Sequence, residues 1–474
     1  MIGITGVGVH IPRYRLAAQT LASVWGREGS GEGRGERAIA NHDEDSLTMA
    51  VEAGMAALGD RPSATLDGVF LATATSPYAE KSAAAVLATV LDLGPRAMCA
   101  DLGGSLRAGT TALRLGLDAV RAGSAREALV AAADLRPAPP GGDLEPVLGD
   151  GAAAVVVGEG QQVLAELEGA VSITREFSDV WRLAGVPFPE QGDPTFVRAY
   201  GYERAMPEAV VALLDQTGVA RDDIARVACY APDARSAPGV VRALGLPKAA
   251  TPGLALLERI GNTGTASPLI GLAASLEEAR PGDRILVVGY GAGADALLFR
   301  ATERVEALDR SRGLRAQVGA GRALAHYGKL LRFRRLVLNE PIRAFTGLPV
   351  LAREERQDLR LYGQRCASCA AVQYPQRRVC WQCGGTELVE HRLDRRGRVF
   401  TFTRDHLVPT PDPPTVMVAA DLDGGGRFYT QVTDCDPGAI DIGMPVELTF
   451  RRFHEGGELA NYFWKFRPLL TSYG

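Results

Sequence analysis

From the N-terminus to about residue 303, two kinds of apolar pattern alternate along the chain. Short runs are almost continuously apolar: IGITGVGV, DGVFLATA, ALVAAAD, AAAVVVG, RVACYA and RILVVGYG. Runs of this kind predict strands buried on both faces of a sheet. Between them lie longer segments, among them EDSLTMAVEAGMAALG and SLRAGTTALRLGLDAVRAG, whose apolar residues return every three or four positions. In the second, Leu106, Leu113, Leu117 and Val120 keep that spacing and predict one apolar helix face. Strands alternating with helices predict an α/β layered architecture.

The two halves of this region echo one another. Each ends in a Gly-rich closing strand, GDGAAAVVVG early and VVGYGAGADALLF late, which suggests a duplicated unit divided near residue 165. GDGAAA around Asp150 reads as a structural turn in the core, and GREGSGEGRGER, near residues 26–37, as a mobile loop. Beyond residue 303 the pattern changes. RSRGLRAQVGAGRALAHYGKLLRFRRL is basic and helical in pattern, and residues 304–355 read as a connector. Residues 356–390 hold a cysteine cluster. From 391 to 474, short alternating runs (RVFTFTRDHL, TVMVAADL, RFYTQVTD, VELTFRRF) broken by Gly, Pro and Asp predict a small β-barrel. The expected division is therefore 1–165, 166–303, 304–355, 356–390 and 391–474.

Composition narrows the class of protein. The chain has 474 residues, too many for one ordinary core. Its net charge of −4 argues against a nucleic-acid binder, and Arg451–Arg452 is the main basic cluster of the barrel stretch. No apolar run reaches the ~18 residues that crossing a membrane needs. MIGITGVGVHIPRYRL lacks a basic leader and reads as a first strand, so a cytoplasmic location is expected.

Of seven cysteines, Cys366, Cys369, Cys380 and Cys383 form Cys-x2-Cys, a ten-residue gap, and Cys-x2-Cys. Two such knuckles supply four thiolates for a tetrahedral metal. Four protein ligands leave no position open for water, so the expected metal is structural zinc; iron suits the same ligand set.

Several stretches resemble a known family. GVGVHIPRYRL, IANHDEDSLTMAVEAGMAAL, TSPYAEKSAAAVLATVL, FSDVWR, GNTGTASPLIGLA and GYGAGADALLF resemble 3-hydroxy-3-methylglutaryl-CoA synthase of the archaeal and bacterial type, within the thiolase and ketoacyl synthase III superfamily. LRLYGQRCASC, YPQRRVCWQC, IGMPVELTFRR and NYFWKFRP resemble the zinc-ribbon and OB-fold proteins that accompany such thiolases. The resemblance implies a thiolase fold, a duplicated five-layer αβαβα arrangement, followed by a rubredoxin-like ribbon and an OB-type barrel. It also implies an acyl-coenzyme A thioester as substrate and a homodimer, with a further thiolase-type partner as an option.

The same resemblance exposes a departure. The family places a cysteine at the start of a helix, where helix amides favour the thiolate. Laid without gaps on ADLGGSLRAGTTAL, in which Asp101 is the second residue, that position falls on Leu106. The family's histidine falls on Tyr230 of YAPD, and its glutamate on Ala74. The asparagine is kept as Asn262 in GNTGTAS, and the turn GYGAGAD keeps the Tyr290–Gly291 backbone as a source of an oxyanion amide. Ser105 is either a helix cap or a group that meets the thioester carbonyl. Cys99 reads as a core residue, and Cys229 is expected on the opposite strand face from Tyr230. Arg107 and Arg235 are candidates for the coenzyme A phosphates, and Lys81 and Trp181 for the pocket wall.

Leucine forms no acyl thioester, so Claisen chemistry by the usual covalent route is not expected. A phenol at Tyr230 can move a proton, which fits aldol or retro-aldol chemistry, or non-covalent acyl transfer. The alternative is a non-catalytic scaffold that binds acyl-CoA beside an active thiolase.

Overall fold

The computed structural model describes residues 1–27, 35–246, 249–337, 346–456 and 459–469. Residues 28–34, the middle of the expected Gly- and charge-rich loop, lie outside the described residues. The chain divides into two compact units, Met1–Ala40 with Asp45–Tyr327 and Asn41–Glu44 with Gly328–Gly474.

The first unit is built on one nine-stranded sheet whose order reveals the duplication. Outward from the seam between Ile2–His10 and Ala165–Thr174, one half continues through Gly151–Glu159, Glu127–Asp134 and Leu66–Ala72. The other continues through Gly293–Ala301, Arg284–Tyr290 and Ile224–Cys229. In both, the first two pairings are antiparallel and the third parallel. The first half adds a fifth strand, Met98–Leu102, parallel to Leu66–Ala72. In the second half the isolated bridge between Arg226 and Ala250 stands in its place.

Helices fill the space around and between the half-sheets. Ser46–Leu58, opened by a capping box of Asp45 and Thr48, packs on the first half. Glu203–Thr217 packs on the second. Ala108–Arg121 and Ser267–Glu278 touch each other and strands of both halves, which makes them the middle layer. The layers therefore run helix, sheet, helix, sheet, helix, as the thiolase-type pattern predicts. One expectation needs correction. Leu106 does not continue the apolar stripe of Leu113, Leu117 and Val120, because the helix begins only at Ala108. Those three enter the central core, whereas Leu106 joins a separate apolar cluster with Tyr230 and Tyr290.

The connector is also drawn differently. Up to Tyr327 it belongs to the first unit, where Arg322–Ala323 runs parallel beside Tyr14–Arg15 and the Gln317 amide donates to the Val9 carbonyl at 2.8 Å.

In the second unit, Tyr362–Cys366 pairs antiparallel with Val372–Gln373 and Leu388–Arg392 to make a small ribbon. Arg396–Asp405, Thr415–Leu422, Arg427–Val432, Leu459–Pro468 and Pro445–Gly456 close a five-stranded barrel around Phe428, Phe450, Trp464 and Phe466. Arg451, wholly buried, is held by Glu44 and Asp434 at 2.6 Å each, and Lys465 reaches Asp43 at 2.9 Å.

Candidate functional site

Open α/β sheets gather their ligands at the carboxyl ends of parallel strands, where chain reversals leave backbone and side chains free to converge. In the first unit, Ala74 follows Leu66–Ala72, Arg136 follows Glu127–Asp134, and Tyr230 follows Ile224–Cys229. The start of helix Ala108–Arg121 and the turn around Asn262 meet them there. Gly109 permits that approach: a Cβ on it would lie 2.2 Å from the Thr265 carbonyl oxygen.

Tyr230 anchors the cluster. Its hydroxyl donates a short hydrogen bond to Asp179 Oδ2, and its ring lies 5.7 Å from that of Tyr290. Asp179 Oδ1 accepts the Val180 N–H at 2.9 Å, which fixes the carboxylate toward the phenol. Burial raises the phenol well above the ordinary tyrosine value, and the charge of Asp179 adds to the rise; Arg136 and Asn262 act against it. Burial also raises the Asp179 carboxyl, opposed by the bond from Tyr230. Burial thus disfavours the charged form of both groups. Asn262 Nδ2 donates to the Pro232 carbonyl at 2.9 Å, and its Oδ1 accepts the Gly264 N–H at 2.9 Å. The site is closed to solvent: relative exposures are 7% for Leu106, 1% for Tyr230, 3% for Asn262, 4% for Asp179 and 5% for Arg136.

The structure brings Leu106, Tyr230 and Asn262 toward this point, with Ala74 packed against the same apolar cluster. The other expected residues occupy varied settings. Ser105 Oγ donates to the Gly291 carbonyl at 2.9 Å and accepts the Arg107 N–H at 3.2 Å, so it fastens the helix start to the turn. The Gly291 N–H donates to the Gly293 carbonyl at 3.0 Å and is committed within that turn. Arg107 is tied to the Ile173 carbonyl at 2.7 Å and lies 3.7 Å from Asp295. Trp181 is 49% exposed on a two-residue strand, and Arg235 is exposed. Lys81, also exposed, rests over the Tyr78 ring. Asp101 accepts the Ala83 and Ala84 N–H groups at the start of another helix.

Cys229 corrects the strand-face argument. The strand ends at Cys229, so the alternation stops, and Cys229 and Tyr230 pack into the same apolar cluster. Burial pushes the Cys229 thiol up to about 12, which leaves no thiolate near neutrality. Cys99, partly buried, is likewise raised by burial. Asp150 accepts the Ala40 and Arg136 N–H groups as a core turn residue.

Two members of the cluster escaped the sequence reading. Asp179 lies inside FSDVWR, a stretch from which only Trp181 was drawn. Arg136 comes two residues after the strand ALVAAAD; its place at the end of a parallel strand was the available signal.

In the second unit, the sulfurs of Cys366, Cys369, Cys380 and Cys383 all lie within 4.8 Å of one another, with Cys366–Cys383 and Cys369–Cys380 at 3.6 Å. A tetrahedral ion with Zn–S bonds of about 2.3 Å holds its sulfurs roughly 3.8 Å apart, so the four thiols fit zinc. A hydrogen bond from the Cys369 backbone draws the Cys366 thiol down, whereas burial and the neighbouring thiols raise that of Cys369.

Comparison with known proteins follows the same division. Residues 214–300 match the family described as 3-oxoacyl-[acyl-carrier-protein (ACP)] synthase III C terminal. Residues 353–389 match ChsH2, rubredoxin-like zinc ribbon domain, and residues 390–451 match ChsH2, C-terminal OB-fold domain. The hydroxymethylglutaryl-CoA synthase of Methanopyrus kandleri is 32% identical over 342 residues, 70% of this chain and 97% of that protein. That of Aeropyrum pernix is 34% identical over 312 residues, 64% of this chain and 86% of that protein. Among solved structures, an HMG-CoA synthase complexed with CoA aligns with a TM-score of 0.62 at 20% identity, over 73% of this chain and 95% of its own. The HMG synthase of the curacin biosynthetic pathway, in complex with holo donor-ACP, aligns with a TM-score of 0.63 at 19% identity, over 74% and 94%. Among the described residues, no helix is long and apolar enough to cross a membrane.

Proposed function

Because the chain belongs to the hydroxymethylglutaryl-CoA synthase family, we propose that its first unit binds an acyl-CoA thioester and makes or breaks the carbon–carbon bond beside the thioester carbonyl without forming an acyl-enzyme. The observation that carries this reading is the buried hydrogen bond from Tyr230 to Asp179. Leu106 occupies the nucleophile position, and neither Cys99 nor Cys229 has the lowered pKa that a substitute nucleophile needs.

In the cleavage direction, Tyr230 takes the proton of a β-hydroxyl as its own proton passes to Asp179. The Cα–Cβ bond breaks, the β-carbon becomes a carbonyl, and the electron pair moves onto the thioester as an enolate. Protonation at Cα then releases the shorter acyl-CoA. Run backward, the same steps are an aldol addition. The raised Asp179 carboxyl suits a base that must accept a proton from a phenol.

The test is turnover of a panel of β-hydroxyacyl-CoA esters by the purified full chain, with Tyr230→Phe beside it. At least one ester is cleaved, and the variant loses about 10²–10⁴-fold in rate while still binding it. Equal rates in both proteins remove Tyr230 from the chemistry. The scaffold reading is favoured by one observation, the low exposure of Leu106, Tyr230 and Asn262; acyl-CoA binding with no turnover across the panel would establish it. In the second unit we assign structural zinc to the four cysteines, with about one zinc per chain as the expected metal content. Full alkylation of all four thiols in native protein contradicts that assignment.

A further inference from the structure

Arginines in this chain hold carboxylates in a recurrent way. Arg175 grips Glu208, Arg284 grips Glu168, Arg356 grips Glu390, and Arg126 grips Asp67, each through Nε and Nη2. That edge of the guanidinium carries two parallel N–H groups whose spacing matches the two oxygens of a carboxylate.

Arg136 presents the same edge with nothing on it. It is 5% exposed, and both Nε and Nη2 are buried without a hydrogen-bond partner; among the described residues it is the only arginine with both atoms of that edge so placed. Its backbone is fixed, since its N–H donates to Asp150 Oδ1 at 2.8 Å. Its stem runs against the Asn262–Gly264 turn, where a Cβ on Gly264 would meet Arg136 Cδ at 3.0 Å. Its charge acts on both Tyr230 and Asp179. A buried guanidinium with two idle donors is costly to the fold. The carboxylates nearby are already engaged: Asp134 holds Thr73, Thr75, the Ala74 N–H and the Thr265 N–H, and Asp179 holds Tyr230.

We infer that Arg136 is the receptor for a carboxylate carried on the acyl portion of the substrate, which it grips through Nε and Nη2 beside the Tyr230 hydroxyl. This rests on the acyl-CoA reading above and adds the substrate class: a thioester whose acyl group bears a second, free acid near the reacting carbons. A fixed cation at that point also rejects a plain hydrocarbon chain, because bringing an apolar group against it leaves the donors unpaired.

The experiment is calorimetric binding of two probes to the full chain, glutaryl-CoA and pentanoyl-CoA, which differ by a terminal carboxylate against a methyl group. Wild-type protein is expected to bind glutaryl-CoA about tenfold tighter or more. Arg136→Met brings the ratio near one without weakening pentanoyl-CoA. Arg136→Lys, which keeps the charge and loses the fork, gives an intermediate ratio and serves if the methionine variant does not fold. A ratio near one in wild type, or one that survives both Arg136 substitutions, overturns the assignment of Arg136 alone. Failure of both esters to bind wild-type protein overturns the acyl-CoA reading itself and this assignment with it.

Discussion

In the barrel, Arg451 lies between the carboxylates of Glu44 and Asp434 at 2.6 Å each, with Asp43 at 3.6 Å. At the strand ends of the first unit, Arg136 keeps two donors idle although it is buried almost as deeply. Both are charges in a poor solvent, yet one is answered by its neighbours and the other waits. A buried cation surrounded by carboxylates is a structural device, since removing it leaves anions stranded. A buried cation without an answer weakens the fold and stays useful only if something from outside completes it. The contrast separates a region built for stability from one built for a ligand.

The sharpest way to break the comparison is to replace each arginine by methionine and measure urea unfolding of the full chain. Arg451→Met should cost about 3–5 kcal/mol, because Glu44, Asp434 and Asp43 then lose their counter-charge. Arg136→Met should cost little or even stabilise, since it removes a desolvated charge and leaves no partner behind. Equal losses at the two sites would erase the distinction drawn between them.

The duplicated sheet was legible because strands buried on both faces leave unmistakable apolar runs, and the two Gly-rich closing strands repeat. The cysteine quartet was legible because ligand spacing is a local property of the chain. The Tyr230 position was reached through the family pattern. Its partners were not, because Asp179 and Arg136 lie 51 and 94 positions away and meet Tyr230 only when three strand ends are brought together. The setting of Arg107 was not legible either: nothing local announces the bond from its side chain to the Ile173 carbonyl. Leu106 was assigned to a helix face by spacing alone, whereas the turn that Ser105 fastens delays the helix by two residues.

Acid should test the structural region next. Burial depresses the His42 imidazole to about 4; Asp43 and Asp412 oppose that shift, while Lys465 and Arg452 add to it. A histidine with a depressed folded pKa takes up its proton more readily when unfolded, so stability falls as pH drops from the unfolded value of about 6.5 toward 4. The shift is worth roughly 3 kcal/mol. Asp43 adds a second loss in the same direction. Burial works against its charged form, but Lys465 and Arg451 hold it below the ordinary carboxylate range. Its contribution is present above about pH 3.9 and disappears as acid protonates it. Trp464 is fully buried in the barrel, while Trp25, Trp181 and Trp381 are exposed, so the fluorescence shift on unfolding reports largely on this unit. His42→Gln should flatten the decline between pH 6.5 and 4, and an unchanged profile in that variant removes His42 as its cause.

Ser105 gives the smallest and most discriminating effect, because it sits one residue before Leu106, the nucleophile position under the proposed reading, and could be mistaken for its replacement. Its hydroxyl is used twice within the fold, as donor to the Gly291 carbonyl and as acceptor from the Arg107 N–H. Ser105→Ala should therefore lower stability by about 1 kcal/mol, the ordinary net worth of such a bond. Turnover of any ester found in the panel should change by no more than about threefold, since under the Tyr230–Asp179 route no acyl group is transferred to the protein. A loss of two or more orders of magnitude in rate, with stability unaltered, would instead place a covalent step at Ser105 and transfer the chemistry from the phenol to the helix start.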